Sequence, residues 1–346
     1  MKKVREMMAF IVIAAATVVS ISSCSSDDDK SPSVTPIEQQ YFTIANAEVR
    51  SGAIPSATTE EAPAVNIMRN ALAGGSSTVT IQQDVREVYV SVRGQDNYFV
   101  VSPSASGLRA AAEEVYTTFV LQFSQNLDQS FQIQIAAQLA DGSITTVYET
   151  AINYIEASTG GEGGLQVSLS FDALKDVDLY VITPDSVVIY YGYKGKYGYD
   201  ENENYVQLWG LDIDSNAGCG IDSINNENIF IPKDYIVTGK YQVWVNMWSN
   251  CSPRTTVTNW VVVALRNGAA VPVTYGSNPS SGVYPVTEPS NGIGNAYSNG
   301  VLRGATKVME FNLQGTAETF RKARASFDAP LSETAKMKLE IAGELR

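Results

Sequence analysis

Paired acidic residues are the first feature of this sequence that could do chemistry. Asp176 and Asp178 stand two apart, as do Asp212 and Asp214, and Glu227 follows with Asn228. On an extended strand, residues i and i+2 point to the same side, so each pair presents two carboxylates together. Carboxylates held close repel one another unless a cation neutralises them, and Ca2+, with its six to eight oxygen ligands, suits such a set. The spacing predicts a Ca2+ site drawing on some of Asp176, Asp178, Asp212, Asp214 and Glu227. The alternative is a set of solvated or turn-capping acids whose two pairs never meet. Glycoside hydrolysis also uses two carboxyls, but they must face each other across a cleft, and an i, i+2 pair is too local for that. No nucleophile motif or phosphate loop is present. The expectation is a protein that is not an enzyme, with a carboxylate-dependent hydrolase as the distant alternative.

Aromatic residues form the second constellation. Tyr190, Tyr191, Tyr193, Tyr197, Tyr199, Tyr205 and Trp209 crowd a segment rich in Gly and Asn. Trp244 and Trp248 share a strand face with Gln242 and Asn246, opposite Val243, Val245 and Met247. Aromatics on a polar, wet face can form a sugar-stacking or protein-binding platform. Trp244, Trp248, Tyr193, Tyr197 and Trp209 are the ligand-binding candidates. Against this stands the general preference of strands for aromatics, with both sheet faces packed.

The chain contains no histidine, which excludes Ser-His-Asp and Cys-His catalysis and every His-ligated metal site. Of three cysteines, Cys219 and Cys251 lie in Gly/Ser/Asn-rich surroundings. An even pair in an exported chain favours a disulfide. The net charge is −13 over 346 residues. Such a charge repels nucleic acid and anionic headgroups and keeps the chain soluble, so no nucleic-acid partner is expected.

The elements that must carry these residues read as β throughout. In residues 41–155, Phe131, Ile133, Ile135, Ala137 and Leu139 alternate with Gln132, Gln134, Ala136 and Gln138. That is the period of a strand with one buried and one wet face. Asp141-Gly142 supplies a hairpin turn. Val88, Val90 and Val92 alternate in the same way, and further strands fit 41–49, 78–82, 98–101 and 116–123. About seven short strands with turn signals between them suggest an immunoglobulin-like sandwich. Residues 60–72 read as a short helix or a long loop. Residues 156–164, with four glycines, read as a flexible linker.

The alternation resumes at Leu165, with Val167, Leu169 and Phe171 on one face. Strand candidates follow at 177–182, 187–191, 205–211, 241–248, 260–265 and 307–313, with a hairpin turn at Asn267-Gly268. The Gly-, Ser-, Asn- and Pro-rich stretch 276–300 reads as a long loop. In the tail 316–346, 317–325 has helical composition, whereas Met337, Leu339 and Ile341 alternate like a strand.

Two family resemblances follow from these residues. Lys2, Lys3 and Arg5 precede an apolar run from Met7 to Ile21, the pattern of a secretory leader. It closes with Ile21-Ser22-Ser23-Cys24, which resembles the lipobox of bacterial lipoproteins, with Ile where Leu is usual. The resemblance implies a signal peptide over 1–23 and acyl chains, palmitate among them, on Cys24. Multiple acyl chains give stable membrane anchoring. The acidic run Asp27–Asp29 resembles the signal that sends some Gram-negative lipoproteins to the exterior face of the outer membrane. Residues 24–40 would be the lipidated tether, disordered through charge and Ser/Pro content.

The second resemblance lies at about 165–265. Asp176-Val-Asp-Leu-Tyr-Val-Ile-Thr-Pro-Asp185, Leu211-Asp-Ile-Asp214, Asn226-Glu-Asn-Ile229 and Gly239-Lys-Tyr-Gln-Val-Trp-Val245 resemble, in order and spacing, the YfaP-like domains of exported bacterial proteins. This chain departs from that pattern at Ser186, where Gly is usual, at Tyr180, where His is usual, and at Asn225-Asn226, which replace Gly-Pro. The resemblance implies a β-sandwich and export rather than a reaction. The expected fold is therefore all-β, with two β-sandwich-like domains, immunoglobulin-like over 41–155 and YfaP-like over 165–315. The expected function is a surface-anchored, non-catalytic binding or adhesion module for glycans. The alternative is an accessory subunit docking on an outer-membrane protein partner.

Overall fold

The computed structural model describes residues 36–103, 117–200, 202–292, 297–298 and 301–315. The leader, Cys24, the Asp27–Asp29 run and the tail 316–346 with both its expected elements lie outside the described residues. The described chain is all-β and builds two sandwiches, in agreement with the expected fold class.

The N-terminal module opens with one helical turn, α1 (Pro36–Gln40), followed by ten strands: β1 (Phe42–Ile44), β2 (Glu48–Ser51), β3 (Val65–Ile67), β4 (Asn70–Leu72), β5 (Ser76–Ile81), β6 (Val85–Val92), β7 (Asn97–Val101), β8 (Thr117–Phe123), β9 (Phe131–Leu139) and β10 (Tyr148–Ile155). One sheet runs β1-β8-β5-β3 and the other β2-β7-β6-β9-β10-β4. Period-two patterning explains the core. Val79 and Ile81 of β5 and Phe119, Leu121 and Phe123 of β8 meet Val88, Val90, Val92, Ile133 and Ile135 of the facing sheet. β6 is buried on both faces, because Tyr89 packs with Tyr98, Val100 and Ala136 under Ile54 and Ile144.

The C-terminal module comprises β11 (Leu165–Phe171), β12 (Asp176–Ile182), β13 (Val188–Ile189), β14 (Gly195–Tyr199), β15 (Tyr205–Ile213), β16 (Asn226–Ile231), β17 (Gly239–Ser249), β18 (Thr258–Arg266), β19 (Ala269–Ala270), β20 (Tyr275–Gly276), β21 (Ser280–Tyr284), β22 (Tyr297–Ser298), β23 (Val301–Leu302) and β24 (Thr306–Leu313). The sheet β14-β15-β16-β11-β18-β19, with β21 also on β18, faces the sheet β13-β12-β17-β24-β20. Asn267 (φ 52°) and Gly268 (φ 74°) make the turn joining β18 to β19. Two successive left-handed residues are what a two-residue hairpin of this kind requires.

Several local expectations are corrected. Pro36–Gln40, expected to be disordered, is a turn of helix because Ile37 is buried in the first core. Residues 60–72, expected as helix or loop, are extended and contribute β3 and β4 as sheet edges. The 276–300 loop contains β21, which pairs with β18. The glycine-rich 156–164 segment is fastened rather than free. Ser158 N donates to Asp212 Oδ2 at 2.7 Å, Asn228 Nδ2 donates to Ser158 O at 2.9 Å, and Gly163 N donates to Asn267 Oδ1. A Cβ on Gly164 would stand 2.2 Å from the Gly160 carbonyl oxygen. These glycines allow close backbone approach, the other use of that residue besides flexibility.

The modules also touch. Val261, Val263 and Leu265 on the outer face of β18 pack against Val120 of β8. Gln166, on the polar face of β11, is 1% exposed and donates to Ala73 O at 2.8 Å and to Asn228 Oδ1 at 3.0 Å. The polar side of β11 is covered by the neighbouring module rather than by water.

Candidate functional site

β12, β15 and β16 bring three of the five expected acids together. Asp178, Asp214 and Glu227 each offer a carboxylate oxygen, and these oxygens lie within 4.8 Å of one another. Asp178 and Glu227 are each 1% exposed. Glu227 reaches from one sheet to the other, where its Oε2 accepts from Leu179 N at 2.8 Å. Tyr180 OH donates to Asp178 Oδ2 at 3.1 Å. Burial, helped by the charge of Asp178, pushes the Tyr180 hydroxyl well above the usual phenol range, so it stays a proton donor. Lys194 Nζ stands 3.1 Å from Asp214 Oδ2. An all-oxygen set of this kind could hold a metal ion, and oxygen ligation is what hard divalent cations take.

The other two acids go elsewhere, and for Asp212 a backbone irregularity accounts for the separation. The β12/β17 register shifts between Asp176 and Val177, and Asp176 Oδ2 accepts from Gly218 N at 2.7 Å. The β15/β16 register shifts between Leu211 and Ile213, at Asp212. A bulge inserts an extra residue and re-aims the side chains around it. Asp212 accepts from Ser158 N and, at 2.7 Å, from Asn228 Nδ2. Burial raises its pKa, partly offset by those two donors. Equal i, i+2 spacing did not give equal roles.

Cys219 and Cys251 form a disulfide, as their pairing in the sequence suggested. It ties the loop after Asp214 to the chain just beyond β17.

The tryptophan platform is corrected. Trp244 is 6% exposed, Trp248 1% and Trp209 0%, and all three belong to the second core. Trp248 Nε1 donates to Tyr191 OH at 3.3 Å. The stretch 286–292 lies over this face of β17. Asn250 Nδ2 donates to Val286 O and Glu288 O, Asn291 N donates to Met247 O, and a Cβ on Gly292 would stand 2.7 Å from the Trp248 indole. Tyr193 packs against the core, its ring 6.1 Å from that of Trp209.

Three exposed aromatics, Tyr197 (46%), Tyr199 (72%) and Tyr205 (66%), cluster on the β14–β15 hairpin at the edge of its sheet, while exposed Tyr275 stands apart on β20. Tyr199 and Tyr205 are cross-strand partners, while Tyr197 lies two residues along from Tyr199, so all three share one face. Tyr197 and Tyr205 stack at 6.1 Å with 20° between planes, and Tyr199 meets Tyr205 edge-on at 5.3 Å. Asp200 secures the turn by accepting from Asn202 N and Asn204 N, which lowers its pKa. Of this trio only Tyr197 was among the ligand-binding candidates. The usable signal for the other two was the alternation Tyr197-Gly198-Tyr199 ahead of a polar turn, which marks a solvent-facing ribbon.

No family model and no curated protein matches the chain. Among solved structures, it is similar to the N-terminal part of the bacterial S-layer protein SbsC (12% identity, 54% of this chain and 40% of that one, TM-score 0.19). It is similar to SGBP-B of a Bacteroides ovatus mixed-linkage glucan utilization locus, solved with a mixed-linkage heptasaccharide (9% identity, 48% and 49% coverage, TM-score 0.17). It is also similar to the fibronectin(III)-like modules of Clostridium thermocellum CbhA (10% identity, 68% and 92% coverage, TM-score 0.17). The chain spans less than half the length of the first two. Likeness at these scores carries no functional argument.

Proposed function

We propose that the chain is a lipid-anchored binding module of the bacterial cell surface, non-catalytic, with a glycan as its ligand. The anchor is the acylated Cys24 of the lipobox-like leader, the location is the exterior face of the outer membrane, and the second module belongs with YfaP-like domains. One observation carries the ligand class: three exposed tyrosines on one face of a hairpin at a sheet edge. Exposed aromatic rings are costly to leave in water and offer flat apolar faces with a polar tip, which suits the C–H face of a pyranose. The disulfide supports the exported setting.

Binding of the full chain to a panel of soluble and insoluble polysaccharides tests this reading. Tyr199→Ala with Tyr205→Ala is expected to abolish binding without lowering the melting temperature. Retained binding by that variant discards the tyrosine face.

A second reading concerns the Asp178, Asp214 and Glu227 cluster. Ca2+ is the ion its oxygen donors would take, as a structural clamp between the two sheets. A rise in melting temperature with millimolar Ca2+ after chelator treatment supports it, since a ligand of the folded state alone must stabilise that state. No shift removes it.

A further inference from the structure

A cleft of about 540 Å3 opens where the two sandwiches meet. One wall is the β3–β4 segment with the end of β10, and the other is the turn after β11 with residues 222–225. The walls are stitched together: Asn70 Nδ2 donates to Ser223 O at 2.6 Å and Ile224 O at 3.2 Å. The volume lies within the about 300–1,000 Å3 of small-molecule sites, which favour junctions between domains.

The chemistry of the lining limits what fits. Met68 and Ile155 give apolar surface. Arg69 is exposed, and its guanidinium, a donor only, enters no ion pair among the described residues. Across from it Asp172 and Asp222 are acceptors. Asp172 takes one bond from Asn259 N at 2.7 Å and one from Asn259 Nδ2 at 2.6 Å. Asp222 takes bonds from Ser215 Oγ, Asn216 N and Ile224 N. Each carboxylate has about four lone-pair sites, so both can still accept. A ligand anion would meet two carboxylates against one guanidinium, and a ligand cation would leave the Arg69 donors without an acceptor. Hydroxyl groups both donate and accept, and so match both kinds of wall.

We infer that this junction cleft binds a neutral oligosaccharide, with Arg69 donating to its hydroxyls, Asp172 and Asp222 accepting from them, and Met68 and Ile155 against its C–H faces. The inference takes its ligand class from the glycan reading above but uses a different surface.

The test uses the full chain labelled with 13C-methyl methionine, the Met68 resonance being assigned through Met68→Leu. Cellotetraose and mannotetraose are the neutral probes, and tetragalacturonate is the acidic one. A neutral probe is expected to shift the Met68 methyl saturably. Arg69→Ala, at an exposed site outside the ion pairs of the described residues, is expected to weaken that Kd at least tenfold, and Tyr199→Ala is expected to leave it unchanged. A Met68 methyl unmoved by either neutral probe, an Arg69→Ala titration identical to that of the natural chain, or tighter binding of tetragalacturonate would each overturn the inference. Loss of polysaccharide binding in the tyrosine variants with a silent Met68 leaves the tyrosine reading standing and the cleft refuted. A responsive Met68 with unchanged polysaccharide binding in those variants does the reverse.

Discussion

The Lys194 ammonium lies 3.1 Å from the Asp214 carboxylate, with side-chain exposures of 23% and 3%. A positive charge therefore already reaches the edge of the cluster formed by Asp178, Asp214 and Glu227. A divalent ion entering there must share Asp214 with the lysine or displace it.

That relationship sets the first prediction. Lys194→Gln removes the competing cation, so Ca2+ is expected to stabilise this variant more than it stabilises the natural chain. Saturation at a hundred times Kd corresponds to about 2.7 kcal/mol. Melting temperatures of both proteins in chelator and in excess Ca2+ check it; an equal response in the two means that Lys194 does not compete.

Trp248 and Tyr199 should part in their effects. Trp248→Ala empties space in the core and is expected to cost about 3–5 kcal/mol. Tyr199→Ala, at a 72% exposed residue, should fall within about 0.5 kcal/mol. Denaturant midpoints measure both. A mild Trp248→Ala would mean that the 286–292 stretch does not cover the indole in solution.

Asp212 predicts a pH dependence. Its folded pKa is raised above the unfolded value, burial being the largest cause. Such a group contributes stability that is complete below the unfolded pKa and is lost as pH rises through the folded pKa. Burial raises the pKa of Asp172 as well. The stability of Asp212→Asn relative to the natural chain is expected to improve as pH rises from the ordinary carboxylate range and to level off once the raised folded pKa is passed. Urea midpoints at intervals across that window read the trend, and a constant difference contradicts it.

Reducing the Cys219–Cys251 bridge opens a loop with a sequence separation of 32. Loop-closure entropy for that length gives a loss of about 3–4 kcal/mol. The Cys219→Ser, Cys251→Ser double variant should unfold at correspondingly lower denaturant, and an unchanged midpoint would show that the loop is held without the bridge.

Much of this protein was legible in its sequence. Period-two runs such as 131–139 and 165–171 fixed the strands, because alternate residues must face alternate sides. Asn267-Gly268 fixed a turn, because few other residues adopt two left-handed conformations in succession. An even pair of cysteines pointed to the bridge. The convergence of Asp178, Asp214 and Glu227 came only from the tertiary structure. Alternation tells which side of a strand a residue takes, but it is blind to the bulge at Asp212 and to the Gly218 amide that takes up Asp176. The same limit misplaced Trp244 and Trp248. Local spacing put them on a polar face; whether that face meets water depends on distant chain folding over it, and burying those large rings, Trp248 beneath the 286–292 stretch, is a favourable use of apolar area that no local pattern records.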